Sequence, residues 1–98
     1  MELFSLADKI AIVTGACGLL GTQHCEALAG AGATVVAADL DEKAAGAVAA
    51  RLGNQHMGIG MDVSSKESLV EVRRRIVDAF GRIDVLVNNA AKIGRANV

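Results

Sequence analysis

Three glycines and one carboxylate in the first half of the chain have the residue types and spacing of a phosphate-binding turn. Gly15, Gly18 and Gly21 follow a short β-branched run, and Asp39 lies further along, after a second apolar run. Glycine lets a chain turn sharply and lets backbone approach a ligand closely, and the free N–H groups of a helix N-terminus attract phosphate. A carboxylate at the end of the next strand can accept hydrogen bonds from both ribose hydroxyls of an adenosine. The pattern therefore predicts a dinucleotide site.

The same carboxylate indicates which dinucleotide. Asp39 would repel a 2′-phosphate, and neither the glycine turn nor the segment 40–42 offers an arginine that would attract one. NAD is therefore the expected cofactor, and NADP is disfavoured. A solvated or helix-capping carboxylate is the alternative interpretation of Asp39, and a glycine cluster alone is a weak signal, so the prediction depends on the two features together.

The elements that must position these residues alternate between buried strands and helices. Apolar runs predict four strands, at residues 9–14, 33–38, 57–61 and 83–87. Helical periodicity predicts three helices between them, at residues 19–29, 42–52 and 66–80. This β-α-β-α-β-α-β order predicts an α/β fold, an incomplete Rossmann-type doubly wound parallel sheet. A doubly wound dinucleotide fold has two halves, so we expect residues 1–98 to form the N-terminal part of a single NAD-binding domain, without its C-terminal half.

Local signals place the helix ends and faces. Asp41 is expected to cap the second helix, and Ser64 with Glu67 has the spacing of a capping box for the third. On the first helix, Leu20, Cys25, Leu28 and Ala29 fit one apolar face, which is expected to be the inner one, against the sheet.

Composition excludes several classes of partner. Ten basic residues balance eleven acidic ones, so a nucleic-acid partner is not expected. The longest uncharged stretch is too short and too polar for a membrane span, the N-terminus lacks the basic region of a signal peptide, and the protein is expected to be cytoplasmic. Two cysteines are too few for a disulfide scaffold, and no metal site is expected because His24 and His56 lack ligand spacing to them. Cys17, in the glycine turn, is expected to be oxidisable because helix N-termini lower the pKa of a thiol.

Four motifs in order resemble the cofactor-side motifs of the short-chain dehydrogenases/reductases: Thr14–Gly21, Asp39, Asp62-Val63 and Asn88–Ala90. The resemblance extends from about Leu6 to the end of the sequence. It implies a phosphate turn, an acidic residue (Asp39) that holds the adenosine ribose, a pair bordering the adenine, and a pair beside the nicotinamide-side ribose. In that order the cofactor-binding residues are Thr14, Gly15, Gly18, Leu20 and Gly21, then Asp39 and Leu40, then Asp62 and Val63, then Asn89 and Ala90.

Two departures leave the subtype open. Leu19 occupies the middle glycine position of the single-domain subtype, and the resulting Thr-Gly-x-x-Gly-x-x-Gly spacing resembles the extended subtype, the nucleotide-sugar epimerases and dehydratases. Residues 84–90, in contrast, resemble the single-domain subtype, although Ala91 stands where that subtype usually has glycine. The single-domain subtype is favoured.

The resemblance implies an oxidoreductase that transfers hydride between a nicotinamide and a small-molecule alcohol or carbonyl substrate, and full-length relatives are expected to be homo-oligomers. The family uses a Tyr-x-x-x-Lys pair for catalysis, whereas this sequence contains no tyrosine. No catalytic residue is therefore assigned, and we expect an N-terminal fragment that is inactive alone. The alternatives are a non-catalytic nucleotide-binding module and a remnant that neither binds the cofactor nor catalyses, because half a sheet cannot hold it. The last strand is expected to be an exposed apolar edge, which would make the chain prone to associate.

Overall fold

The structure is a computed structural model that describes residues 5–89. Strands and helices alternate along this part of the chain in the predicted order. The elements are β1 (Ile10–Thr14), α1 (Leu19–Gly30), β2 (Thr34–Asp39), α2 (Glu42–Leu52), β3 (Met57–Gly60), α3 (Lys66–Phe80) and β4 (Val85–Val87). Each predicted strand is present, and β4 is shorter than expected because pairing with β1 begins only at Val85.

The strands form one parallel sheet in the order β3-β2-β1-β4. The chain starts in the middle at β1, adds β2 and β3 on one side, and then crosses over to place β4 on the other side. Ile12 accordingly pairs with Val36 on one flank and with Leu86 on the other. The strand order reverses between β1 and β4, and ligands of open α/β sheets bind outside the carboxyl ends of strands at such a point.

Helices cover both faces of the sheet, which confirms the doubly wound prediction. On one face, β1 and β2 pack against α1 and α2 through buried Val13, Val35, Ala37, Cys25 and Val48. On the other face, three strands pack against α3 through a cluster that includes Ile12, Val36, Ile59, Val72 and Ile76. Both strands β1 and β2 therefore contribute buried residues to both faces, which explains why they read as continuous apolar runs.

Gly58, in the middle of β3, has a packing reason. A Cβ added to Gly58 would overlap the backbone of Ala45 and Gly46, so the backbone of α2 lies directly against this strand. Strand propensity disfavours glycine, but here the close approach of helix and strand requires it.

The first helix differs from its predicted orientation. Leu20 is 56% exposed, and the residues that α1 buries are Gly21 and Cys25. The expectation that Leu20 faces the sheet is therefore wrong. The helix contacts the β1–α1 turn so closely that a glycine, rather than a leucine, occupies the inner position of its first turn.

The helix caps are partly as predicted. Asp41 Oδ1 accepts a hydrogen bond from the Ala44 N–H at 3.1 Å, which confirms the cap of α2. The cap of α3 is Ser65, whose Oγ accepts from the Ser68 N–H at 3.1 Å, so the capping box predicted from Ser64 is wrong by one residue. Within residues 5–89, none of the helices combines the length and the apolar character that crossing a membrane requires.

Candidate functional site

The β1–α1 turn presents the N-terminus of a helix without a side-chain cap. Gly15 has a φ of +64°, a conformation that favours glycine, and its carbonyl oxygen accepts a hydrogen bond from the Gly18 N–H at 3.2 Å. Gly18 is the N-cap of α1 and, having no side chain, makes no capping hydrogen bond. The first-turn N–H groups of a helix have no partner within the helix, so at this end they are available to an anion.

Gly18 and Gly21 are glycines for different reasons. A Cβ on Gly21 would overlap the Gly15 carbonyl oxygen and lie 2.9 Å from Ala16 Cα, so the fold itself requires glycine there. A Cβ on Gly18 would meet Gly15 O at 3.6 Å, an ordinary contact, and the φ of −76° suits any residue. The fold does not need a glycine at position 18, whereas a ligand that approaches the backbone from outside would.

The carboxylate of Asp39 is joined to this turn. Its Oδ2 accepts a hydrogen bond from the Cys17 N–H at 3.0 Å, and the neighbouring Ala16 N–H donates to the Ala38 carbonyl oxygen at 3.1 Å. The end of β2 and the turn after β1 are therefore held together. A carboxylate has about four lone-pair sites, so Asp39 keeps the capacity to accept hydrogen bonds from a ligand.

Cys17 lies beside that carboxylate, and its pKa is shifted in the direction opposite to the prediction. Burial of the thiol raises the pKa of Cys17, and the charge of Asp39 and a hydrogen bond to it raise this pKa further. The expected activation by the helix N-terminus is therefore outweighed, and the thiol is protonated at neutral pH. Sequence reasoning missed this contact because the two residues are 22 positions apart.

A hydrogen-bonded group at the ends of β1 and β4 approaches the turn from the other side. Thr14 is 3% exposed, and its Oγ1 accepts from the Asn89 N–H at 2.9 Å. The side-chain amide of Asn89 donates to the Gly15 carbonyl oxygen at 3.3 Å, and Thr14 Oγ1 also lies 3.3 Å from Asn88 Oδ1. Asn89 therefore connects β4 to the glycine turn. Ala90, the last predicted site residue, lies outside the described residues.

Asp62 and Val63 follow β3 at the same edge of the sheet. Asp62 Oδ1 accepts from both the N–H and the hydroxyl of Ser64, at 2.9 and 2.6 Å. Asp62 thus shapes the loop before α3 rather than capping that helix. Val63 is half-buried against the core on the α3 face. The loop is close to Asp39, since the Met61 N–H donates to the Asp39 carbonyl oxygen at 2.8 Å.

The structure therefore brings ten of the eleven predicted site residues to the carboxyl edge of one sheet. Leu40, which follows Asp39, is exposed there, as is Leu20 at the start of α1. Within residues 5–89, no group of three or more His, Cys, Asp or Glu side chains is arranged to hold a metal ion. This edge combines the uncapped first-turn N–H groups of α1, the carboxylate of Asp39 as a hydrogen-bond acceptor, and the apolar surface of Leu20 and Leu40. Such a combination suits a nucleoside diphosphate.

Comparison with known proteins identifies the family. A family model described as short chain dehydrogenase matches residues 9–98, which include all four strands and the whole turn. The chain belongs to the short-chain dehydrogenase family. The family and the fold are therefore those that the motifs predicted.

Individual relatives are similar over most of this chain. The short chain dehydrogenase/reductase astE of Aspergillus oryzae is 44% identical over 94 residues, which is 92% of this chain and 36% of the relative. The 3-oxoacyl-(acyl-carrier-protein) reductase FabG of Haemophilus influenzae is 42% identical over 87% of this chain and 35% of its own length. The D-threitol dehydrogenase of Mycolicibacterium smegmatis is 40% identical over 89% and 35%. The chain thus spans about a third of the length of these relatives.

Proposed function

We propose that this chain is the N-terminal, NAD-binding part of a short-chain dehydrogenase that transfers hydride between the nicotinamide and a small alcohol or carbonyl substrate. The single observation that carries the choice of NAD is the hydrogen bond between Asp39 and the Cys17 N–H, because it holds a carboxylate against the phosphate turn. A 2′-phosphate at that position would be repelled. The family membership supports a nicotinamide dinucleotide in general.

The described residues fit this cofactor. The first-turn N–H groups of α1 would hold the diphosphate, and the absence of a side chain at Gly18 would let it approach. Asp39 would accept hydrogen bonds from the adenosine ribose, and Asp62 and Val63 would border the adenine. Asn89, bonded to the turn, would lie beside the second ribose. When bound, the nicotinamide supplies the hydride acceptor or donor.

The chemistry beyond cofactor binding is proposed at the level of the family. The names of two relatives, a 3-oxoacyl-(acyl-carrier-protein) reductase and a D-threitol dehydrogenase, are consistent with a reaction between alcohol and carbonyl groups. The 98 residues include no tyrosine, which by the resemblance is the family's general acid/base. We therefore propose that this chain binds cofactor but does not by itself catalyse turnover, and that homo-oligomers form at the level of the whole protein.

The glycine spacing favours a second candidate, a member of the extended subtype that acts on nucleotide sugars. The structure is compatible with this spacing, since Gly18 rather than residue 19 is the N-cap of α1. The motif at residues 84–90 supports the single-domain subtype instead, and we retain it as the main proposal.

Calorimetric titration of the purified 98-residue chain with NAD and with NADP tests the proposal. We expect tighter binding of NAD, and we expect Asp39→Asn to weaken NAD binding about tenfold, the loss of one charge-assisted hydrogen-bond set. Asp78→Asn is the matched control, because Asp78 lies exposed on α3 in an ion pair with Arg74. Equal affinities for the two cofactors, or an Asp39→Asn variant that binds NAD normally, would reject the choice of NAD.

A further inference from the structure

Three exposed leucines follow the carboxyl ends of β1 and β2 along the chain. Leu19, the first residue of α1, is 81% exposed, Leu20 follows it, and Leu40 comes after Asp39 at 75% exposure. Single exposed apolar side chains are common and need no explanation, but these three adjoin residues of the candidate site.

The position of Leu19 directs its side chain to the helix N-terminus. In an α-helix each Cα–Cβ bond tilts towards the N-terminal end, so the side chain of a first residue leans over the free N–H groups of the first turn. Gly18, immediately before it, has no side chain, and a Cβ there would meet only the Gly15 carbonyl oxygen, at 3.6 Å. Residues 84–90 resemble the single-domain subtype, and that subtype has a glycine at the position that Leu19 occupies here.

The charges around the turn make shielding from water important. Asp39 and Asp41 both act on the Cys17 thiol as negative charges, and Arg51 is the cation that acts on it from α2. A phosphate at α1 would therefore depend on backbone N–H groups in a locally acidic environment. Hydrogen bonds to a charged group are stronger, and less screened by salt, when water is kept away from them.

We infer that Leu19 is a specificity-determining residue for the diphosphate of the cofactor, covering it from the solvent side while the first-turn N–H groups of α1 bind it. The inference rests on the proposed function and deepens it. The favoured ligands are esters of adenosine diphosphate, because only a ligand that carries a diphosphate reaches beneath this side chain. An adenosine without phosphate contacts Asp39 but gains nothing from Leu19.

The test compares Leu19→Ala and Leu19→Met in the full 98-residue chain, by calorimetric titration with NAD, ADP-ribose and adenosine at about 0.02 and 0.2 M salt. We expect Leu19→Ala to weaken NAD and ADP-ribose by about three- to tenfold, or roughly 0.6 to 1.4 kcal/mol, and to leave adenosine unchanged. Its affinity for NAD should also fall more steeply with salt than that of the unaltered chain, and Leu19→Met should restore both properties.

Val70→Ala is the matched control, since Val70 is 61% exposed on α3, away from the turn. All variants should melt at the same temperature as the unaltered chain, because the side chains of Leu19 and Val70 are both exposed. Unchanged affinity and salt dependence in Leu19→Ala, tighter binding in that variant, or an equal loss for adenosine would overturn the inference while leaving the proposed function intact. Failure of the unaltered chain to bind any of the three ligands would reject the proposed function and the inference with it.

Discussion

Adding one methyl group to Gly21 or to Gly18 should separate the two reasons for glycine in the turn. In Gly21→Ala the new Cβ would overlap the Gly15 carbonyl oxygen and lie 2.9 Å from Ala16 Cα. These are backbone atoms, which cannot rotate away as a side chain could. Overpacking typically costs about 1 to 3 kcal/mol, and we place this case at the upper end, about 3 kcal/mol.

A favourable contribution of helix propensity reduces that cost. Alanine stabilises a helix interior by about 1 kcal/mol relative to glycine, which leaves a net destabilisation of about 2 kcal/mol for Gly21→Ala. For a domain of this size the expected fall in Tm is about 8 to 16 °C. In Gly18→Ala, the Cβ meets only an ordinary contact at 3.6 Å, and a poorer N-cap is offset by the reduced freedom of the unfolded chain. Its stability should change by less than about 0.5 kcal/mol.

The assay is thermal and urea unfolding followed by circular dichroism, together with NAD titration of each folded variant. We expect Gly18→Ala to melt normally and to bind NAD at least about tenfold more weakly, because the methyl group occupies the approach to the backbone. A Gly21→Ala variant as stable as the unaltered chain would refute the packing argument. A Gly18→Ala variant that binds NAD normally would refute the assignment of Gly18 to the ligand.

Three further predictions concern stability and association. The Val35 N–H donates to His56 Nδ1 at 2.9 Å, and burial lowers the pKa of His56 from its ordinary value of 6.5. The neutral imidazole therefore stabilises the fold fully above about pH 6.5, and this stabilisation is lost as the pH falls through the lower pKa of the folded chain. Thermal melts between pH 7.5 and pH 5 should show the fall in Tm, and His56→Gln should make the Tm less dependent on pH. A hydrogen bond from the Ile10 N–H, and secondly the ion pair with Arg82, lower the pKa of Asp84, so the stabilisation that its carboxylate provides is lost only in stronger acid. Asp84→Asn should lower the Tm at neutral pH, and an unchanged Tm would contradict a stabilising role of this carboxylate. Leu86, on the edge strand β4, is 62% exposed beside an apolar cavity of about 280 Å³ between α3 and the sheet. Leu86→Lys should therefore increase the fraction of monomer in sedimentation. Equal association of the variant and the unaltered chain would show that another surface is responsible.

The order of elements could be predicted from sequence because it depends on local signals, and a parallel sheet in that order brings the predicted site residues to one edge. Buried β-branched runs marked β1 and β2, and Asp41 caps α2 as its type and position predicted. The placement of Asp39 at the same edge of the sheet as the turn follows from the parallel order of the strands, but its hydrogen bond to the Cys17 N–H was not predicted.

The errors occurred where a second element decides the outcome. Periodicity assigned Leu20 to the inner face of α1, but the closeness of the turn gives that place to Gly21. Two adjacent serines can each cap α3, and spacing alone could not choose Ser65. The pKa of Cys17 depends on Asp39, a residue from another strand, which no local pattern reveals.

The hydrogen bond from Asn89 to the Gly15 carbonyl oxygen also has a consequence for the order of folding. Strand β2 follows β1 after a single helix and pairs with it. Strand β4 pairs with β1 from much further along the chain: the hydrogen bond between Ile10 and Asp84, just before β4, joins residues 74 positions apart. Closing a longer loop costs more entropy, so docking of β4 is expected to be the late, slow step. The turn therefore acquires its last restraint only when that step is complete. A nucleotide that prefers the finished turn would bind the folded chain and draw β4 into place, coupling cofactor concentration to the yield of folded protein.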